Sequence, residues 1–157
     1  MKLFMWYFDQ CDPKKCSGMN LKRVGILRTL PLKAKFNGLV LTPATDKMIS
    51  LEDADILTEH GVAVIDCSWA FFDQVKVRSI RQKERILPNL LAANTINYGK
   101  EFKLNCAEAL AAAYFLCGFE NEAHEIMSHF KYGPAFFAVN EFRFSRYRGC
   151  RTSEEMI

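Results

Sequence analysis

Three short apolar runs, each closed at once by polar residues or proline, restrict this chain more than any other feature. Residues 3–8 read Leu-Phe-Met-Trp-Tyr-Phe, residues 38–41 read Gly-Leu-Val-Leu and residues 62–65 read Val-Ala-Val-Ile. Unbroken apolar runs of this length suit strands buried on both faces. Residues 9–18, with Pro13 and Gly18, form a polar loop after the first run. Thr42-Pro43 closes the second, because proline cannot extend a central ladder. Between the second and third runs the spacing predicts a helix over residues 46–60, with Ile49, Leu51, Ile56 and Leu57 on its apolar face and Gly61 as its stop. Short buried strands joined through a helix predict a mostly parallel sheet with helices packed on it.

The second half changes character. Asn105 can cap a helix over residues 106–117, with Glu108 at the third helical position as in a capping box and Gly118 as terminator. A further helix over about residues 120–131 places Ala123, Ile126, Met127 and Phe130 on one face, ended by Gly133, and another begins near Pro134. The expected architecture is α/β: a sheet lobe with a basic N-terminal region over residues 1–87, then an all-helical lobe over residues 88–157. A chain of 157 residues fits one domain of this kind. No apolar run reaches the ~20 residues of a membrane-spanning helix, and the first run lacks a small-residue cleavage site, so neither a membrane anchor nor a secretory signal is expected.

The net charge is only +3, but it is unevenly spread. Residues 1–45 hold eight Lys and Arg against Asp9 and Asp12, whereas residues 46–60 hold five acids against Lys47. Further basic stretches run Lys76, Arg78, Arg81, Lys83, Arg85 and Arg143, Arg146, Arg148, Arg151. Segregation of this sort suits a face that meets a polyanion. The six cysteines, without a secretory signal, read as reduced thiols. Cys11 and Cys16 have a zinc-like spacing, but a structural zinc takes four ligands and His124 and His129 lie on a helix expected to pack elsewhere, so no metal is expected.

In parallel sheets, ligands bind beyond the carboxyl ends of the strands. Residues 9–18, Thr42-Pro43 and Asp66-Cys67-Ser68-Trp69 all follow strands and converge on that edge. No nucleophile elbow, phosphate loop or glycine-rich dinucleotide fingerprint follows any strand.

Six blocks in order carry a resemblance over nearly the whole chain: DQCDPKKCSG at 9–18, GLVLTP at 38–43, AVIDCSWA at 63–70, LPNLLAANTINYGK at 87–100, KLNCAEALAAA at 103–113 and FKYGPAFFAVN at 130–140. The chain resembles the small-subunit rRNA aminocarboxypropyltransferases of ribosome biogenesis. It departs from that pattern at Asn89, where a large residue is usual, and at Thr95, which replaces a proline. The resemblance implies a fold similar to the knotted SPOUT-type RNA methyltransferases, with S-adenosylmethionine bound in a trefoil knot. It implies transfer of the 3-amino-3-carboxypropyl group to N3 of a pseudouridine, commonly N1-methylated, in small-subunit rRNA of a late pre-small-subunit particle.

The same resemblance implies the site. Asp66 and Trp69 are the catalytic candidates, Asp66 as a base or a cofactor-positioning carboxylate and Trp69 beside the cofactor's reactive chain. Ser17, Leu41, Leu90, Leu91, Ala92 and Ala93 are the other cofactor contacts, with backbone amides and carbonyls of 90–93 cradling adenine. Asn94, Asn97 and Tyr98 are either pocket and substrate contacts or turn stabilisers. Lys14, Lys15, Lys22, Arg23 and Arg28 are expected on the RNA, with Arg81 and Arg85 adding to that surface. A monomer in the cytoplasm, and in the nucleus of a eukaryote, is expected. The competing readings are a SPOUT-type methyltransferase and a non-catalytic pre-rRNA-binding assembly factor.

Overall fold

The computed structural model describes residues 1–7, 16–31, 33–66, 78–79 and 81–156, with only the backbone of Asp66, Arg78, Ser79 and Arg81. Strands β1 (Leu3–Tyr7), β2 (Leu27–Leu30), β4 (Leu39–Leu41), β5 (Val62–Asp66) and β7 (Glu84–Arg85) form one sheet in the order β2-β1-β5-β4-β7. Every pairing in it is parallel. The short strands β3 (Lys35–Phe36) and β6 (Arg78–Ser79) form a separate parallel pair. The described residues also form six α-helices: α1 (Ser17–Arg23), α2 (Ala54–His60), α3 (Cys106–Leu116), α4 (Glu120–Met127), α5 (Gly133–Val139) and α6 (Glu141–Tyr147).

The two-residue period of β1 explains why its run is apolar throughout. Leu3 and Met5 face a core shared with Leu39, Val62 and the helices, while Trp6 joins Phe36, Val40 and Ala63 on the other face. There the Trp6 and Phe36 rings meet edge to face at 5.8 Å. Gly61 has φ +85°, and a Cβ there would lie 2.4 Å from the Lys2 carbonyl, so only glycine lets α2 turn so tightly into β5.

Helix α3 is buried on all sides, which marks it as the central helix. Ala111, Ala112 and Ala113 are fully buried and let neighbouring elements come close. Its Tyr114 hydroxyl accepts a hydrogen bond from the Lys2 amide at 2.9 Å and so ties the helix to the start of β1. The expected capping box forms: Asn105 Oδ1 accepts from the Glu108 amide and Glu108 Oε1 accepts from the Asn105 amide. No helix among the described residues is long and apolar enough to cross a membrane.

Several expectations need correction. The loop ends earlier than Gly18, because α1 starts at Ser17. Gly18 serves close packing instead of a turn: a Cβ there would lie 2.4 Å from Met5 Sδ. The helix expected from residue 46 starts only at 51–53, as a 3-10 turn leading into α2. Before it the backbone is extended and pairs with the chain after β7, through Ile86 N–H to Lys47 O and Ile49 N–H to Ile86 O. Ser50 and Asp53 then form the capping box that starts the helix. Helix α4 ends at Met127, not 131, where turns from Phe130 to Met127 and from Gly133 to Phe130 take over. Gly133 opens α5.

Candidate functional site

Because β1, β4, β5 and β7 run parallel, their carboxyl ends share one edge. A cavity of about 270 Å³ opens there. Leu41, Thr42 and Pro43 follow β4 into its wall, Val64 and Ile65 come from the end of β5, and Ile86, Leu87 and Pro88 follow β7. Leu90, Phe102, Leu104, Asn105, Cys106 and Ala109 close the other side from the stretch leading into α3. Asp66 ends β5, in register with Tyr7 and next to Ile65 in the wall. The convergence expected from strand order is therefore seen for Thr42 and Pro43 after β4, while residues 67–69 after β5 lie outside the described residues.

Leu41 and Leu90 line the cavity. Leu91, Ala92 and Ala93 stand behind the lining, and their backbone groups are mostly taken by protein. Asn140, fully buried, accepts the Leu91 amide at 2.7 Å and donates to the Leu91 carbonyl at 2.8 Å. The Ala92 amide goes to Lys100 O, and Gly99 N–H goes to Ala92 O. The Ala93 amide donates to Glu108 Oε2 at 2.6 Å. The amides of residues 91–93 thus brace the wall behind the cavity. By contrast, the Leu90 amide, in a residue 1 % exposed, has no protein acceptor among the described residues.

The brace centres on Glu108. This buried carboxylate also accepts from the Asn94 amide at 3.2 Å and from Asn94 Nδ2 at 2.7 Å. Asn94 Oδ1 in turn accepts from the Ile96 and Asn97 amides. Asn94 is therefore the turn stabiliser of the two roles expected for it. Glu108 was legible only as a cap; its second task, and that of Asn140, carried no local pattern.

Ser17 is buried, and its hydroxyl accepts from the Ala107 amide at 3.1 Å, joining α1 to α3. Asn105 lines the cavity and donates from Nδ2 to the Tyr132 hydroxyl at 2.7 Å. Burial is the main force pushing the Tyr132 phenol up to about 12, partly offset by the Asn105 bond. Between the unfolded pKa of ~10 and that value, the unfolded chain has lost a proton that the folded chain keeps, so stability falls as pH rises through this window. Denaturant melts at pH 9 and pH 11 should show that loss, and Tyr132→Phe should make it smaller; an identical loss in both chains would refute the assignment.

Arg85 is not part of an exposed basic face. Its side chain is buried, with Nη2 3.0 Å from Asp53 Oδ1 and Nε donating to the same oxygen at 3.1 Å. Nη1 donates to the Gln82 and Glu84 carbonyls, and Asp53 Oδ2 accepts the Ser50 amide. The pair fixes β7 and so the wall residues that follow it. Lys22, Arg23 and Arg28 are exposed on α1 and β2. Lys22 Nζ donates to Thr29 Oγ1 at 3.4 Å and Arg23 donates to Asn20 Oδ1. Lys14, Lys15, Trp69, Cys67, Ser68 and the Arg81 side chain lie outside the described residues. Cys117 and Cys150 are free thiols, and burial pushes that of Cys117 far up.

Residues 39–157 match the family described as ribosome biogenesis protein, C-terminal. Residues 1–35 match a possible Fer4-like domain in RNase L inhibitor. That stretch holds two cysteines, Cys11 and Cys16, whereas a thiolate-held iron–sulfur cluster takes about four. The 18S rRNA aminocarboxypropyltransferase of Saccharomyces cerevisiae is 42 % identical over 96 % of this chain and 48 % of its own length. That of Schizosaccharomyces pombe is 40 % identical over 99 % of this chain and 54 % of its own. The chain thus spans about half the length of these yeast relatives. The 16S rRNA aminocarboxypropyltransferase of Methanopyrus kandleri is 41 % identical over 94 % of this chain and 89 % of its own length. The structure of the SAM-dependent rRNA:acp-transferase Tsr3 from Vulcanisaeta distributa superposes with a TM-score of 0.86 at 34 % identity, covering 98 % of this chain and 86 % of that one. With these matches running from the first strand through the last helix, the chain belongs to the rRNA aminocarboxypropyltransferase family.

Proposed function

We propose that the chain is an S-adenosylmethionine-dependent transferase that moves the 3-amino-3-carboxypropyl group to N3 of a pseudouridine, commonly N1-methylated, in small-subunit rRNA. The observation that carries this reading is the apolar cavity at the carboxyl edge of the sheet, in a chain whose relatives bear that activity in their names. The fold reading extends with it to a SPOUT-like trefoil knot and a helical lobe over residues 88–157. The substrate is read as rRNA within a late pre-small-subunit particle, met by a monomer in the cytoplasm or nucleus.

The residues present suit the cofactor. Leu41, Val64, Leu87, Leu90 and Ala109 offer apolar walls to a flat purine, and the Leu90 amide is a donor without a partner among the described residues. Asn140 holds Leu91 and Glu108 holds Ala93 in place behind that wall. Ser17, the ribose contact that the resemblance implies, fixes the start of α3. Bound there, S-adenosylmethionine supplies an electrophilic carbon and departs as neutral methylthioadenosine, so the protein has little acid work to do. Orientation is the main contribution of the chain. Asp66 takes the N3 proton or holds the aminocarboxypropyl end, and Trp69 packs beside it. Lys14, Lys15, Lys22, Arg23 and Arg28 meet phosphates. The target base is unpaired when it reacts, since N3 is engaged in a duplex.

Cofactor labelled in either the carboxyl or the methyl carbon tests the reading with unmodified small-subunit rRNA. Carboxyl label should enter the RNA, and Asp66→Ala should slow that by about 100-fold. Methyl label alone would make the chain a SPOUT-type methyltransferase. RNA binding with neither label transferred would make it a non-catalytic assembly factor.

A further inference from the structure

Large apolar side chains left in water call for a reason when they gather at one place. Ile96, Tyr98 and Phe102 are 76 %, 62 % and 63 % exposed, and all three lie in one short segment. Phe102 also lines the mouth of the cavity. Its φ is +56°, the left-handed region, which a bulky residue enters only when its surroundings force it. Nothing about burial accounts for that conformation, because the ring stays in solvent.

The backbone of the segment is, by contrast, well ordered. Asn94 Oδ1 holds the Ile96 and Asn97 amides, and Lys100 N–H goes to Asn97 O. The Phe102 amide donates to Leu90 O, on the same side of the cavity. The side chains are therefore presented on a fixed frame, and little order remains to be imposed when something binds. Charge adds a direction. Lys100 and Lys103 are exposed, and the acid between them, Glu101, is neutralised by Arg143 at 3.6 Å.

We propose that Tyr98 and Phe102, with Ile96, form a stacking platform at the cavity mouth for single-stranded rRNA nucleotides beside the target base, while Lys100 and Lys103 hold the phosphates. Aromatic faces interleaved with lysines are the usual means of gripping unpaired nucleic acid. The inference rests on the transferase reading and adds a contact surface separate from the basic residues of the first 28 positions.

The test uses the full chain and a fluorescent single-stranded RNA oligonucleotide, with S-adenosylmethionine binding followed in parallel by calorimetry. Tyr98→Ala and Phe102→Gly should each weaken RNA binding by about tenfold, and Tyr98→Phe should retain it. Tyr98→Ala should leave cofactor affinity within about twofold. Phe102→Gly relieves the left-handed backbone, so it should lose RNA without lowering the melting temperature, an outcome that a structural role for the ring would not give. The double substitution Lys100→Ala, Lys103→Ala should lower the salt dependence of binding. A wild-type chain that transfers the carboxyl label but binds RNA equally well after Tyr98→Ala and Phe102→Gly overturns the platform and leaves the transferase standing. A wild-type chain that binds no RNA overturns both. Variants that keep RNA affinity but lose hold of protein-containing particles would give the surface to a protein partner and overturn the platform as well.

Discussion

Arg85→Ala should lower the melting temperature by about 10 °C, through the loss of about 3–5 kcal/mol that follows when one partner of a buried ion pair is removed. The cost arises on the side that remains. Asp53 is 1 % exposed, and without Arg85 only the Ser50 amide and its own helix start face its carboxylate. The Gln82 and Glu84 carbonyls lose a donor at the same time. Removing both charges together, as Asp53→Asn with Arg85→Met, should recover most of the loss, because no stranded charge is left. Thermal melts followed by circular dichroism decide the matter. A shift of less than about 2 °C for Arg85→Ala would mean that the pair does not hold β7. An Arg85 acting on RNA would instead change salt-dependent binding and leave the melt alone.

Glu108→Gln is the second large effect. The carboxylate accepts from four N–H groups: those of Ala93, Asn94 and Asn105 in the backbone and Nδ2 of Asn94. A glutamine keeps the shape but turns an NH₂ toward donors, so at least one buried N–H loses its acceptor and another meets a like dipole. The expected loss is about 3 kcal/mol of stability. The functional consequence is local, since the freed segment carries Leu90 and its neighbours. Affinity for S-adenosylmethionine should fall more than tenfold even at temperatures where the variant remains folded. Calorimetric titration well below its melting point tests this, and unchanged affinity would show that the wall holds its place without Glu108.

These two residues also show where sequence reasoning reaches its limit. The parallel sheet was legible because a strand buried on both faces has to be apolar throughout, and residues 3–7 and 62–65 are. The Asn105–Glu108 cap was legible because its partners stand three residues apart. The second job of Glu108 joins it to residues 14 and 15 positions earlier, and no spacing rule connects them. Arg85 sat within a run of basic residues and read as surface. Its true partner is Asp53, 32 positions away in an acidic run that also read as surface. Two opposite charge runs each gave up one member to the interior. Gly18 misled in another way, because a glycine needed for contact with Met5 has the same letter as a glycine needed for a turn. Of the residues expected at the cofactor, Leu41 and Leu90 line the cavity, Leu91, Ala92 and Ala93 lie behind it, and Trp69 lies outside the described residues.

The central place of β1 sets the order in which the chain can be assembled. This strand is made before either of its neighbours, with Leu3 facing Leu27 on one side and Val62 on the other. The Lys2 amide waits longer still, for a tyrosine 112 residues on. During synthesis this apolar strand is therefore without either full pairing or cover until α3 has left the ribosome. Contacts this distant in sequence slow folding and leave a sticky segment open to wrong partners. A chain of this design gains from rapid completion of the stretch from β1 to α3, and slow translation between β2 and α3 would be the stretch most prone to send it into aggregates.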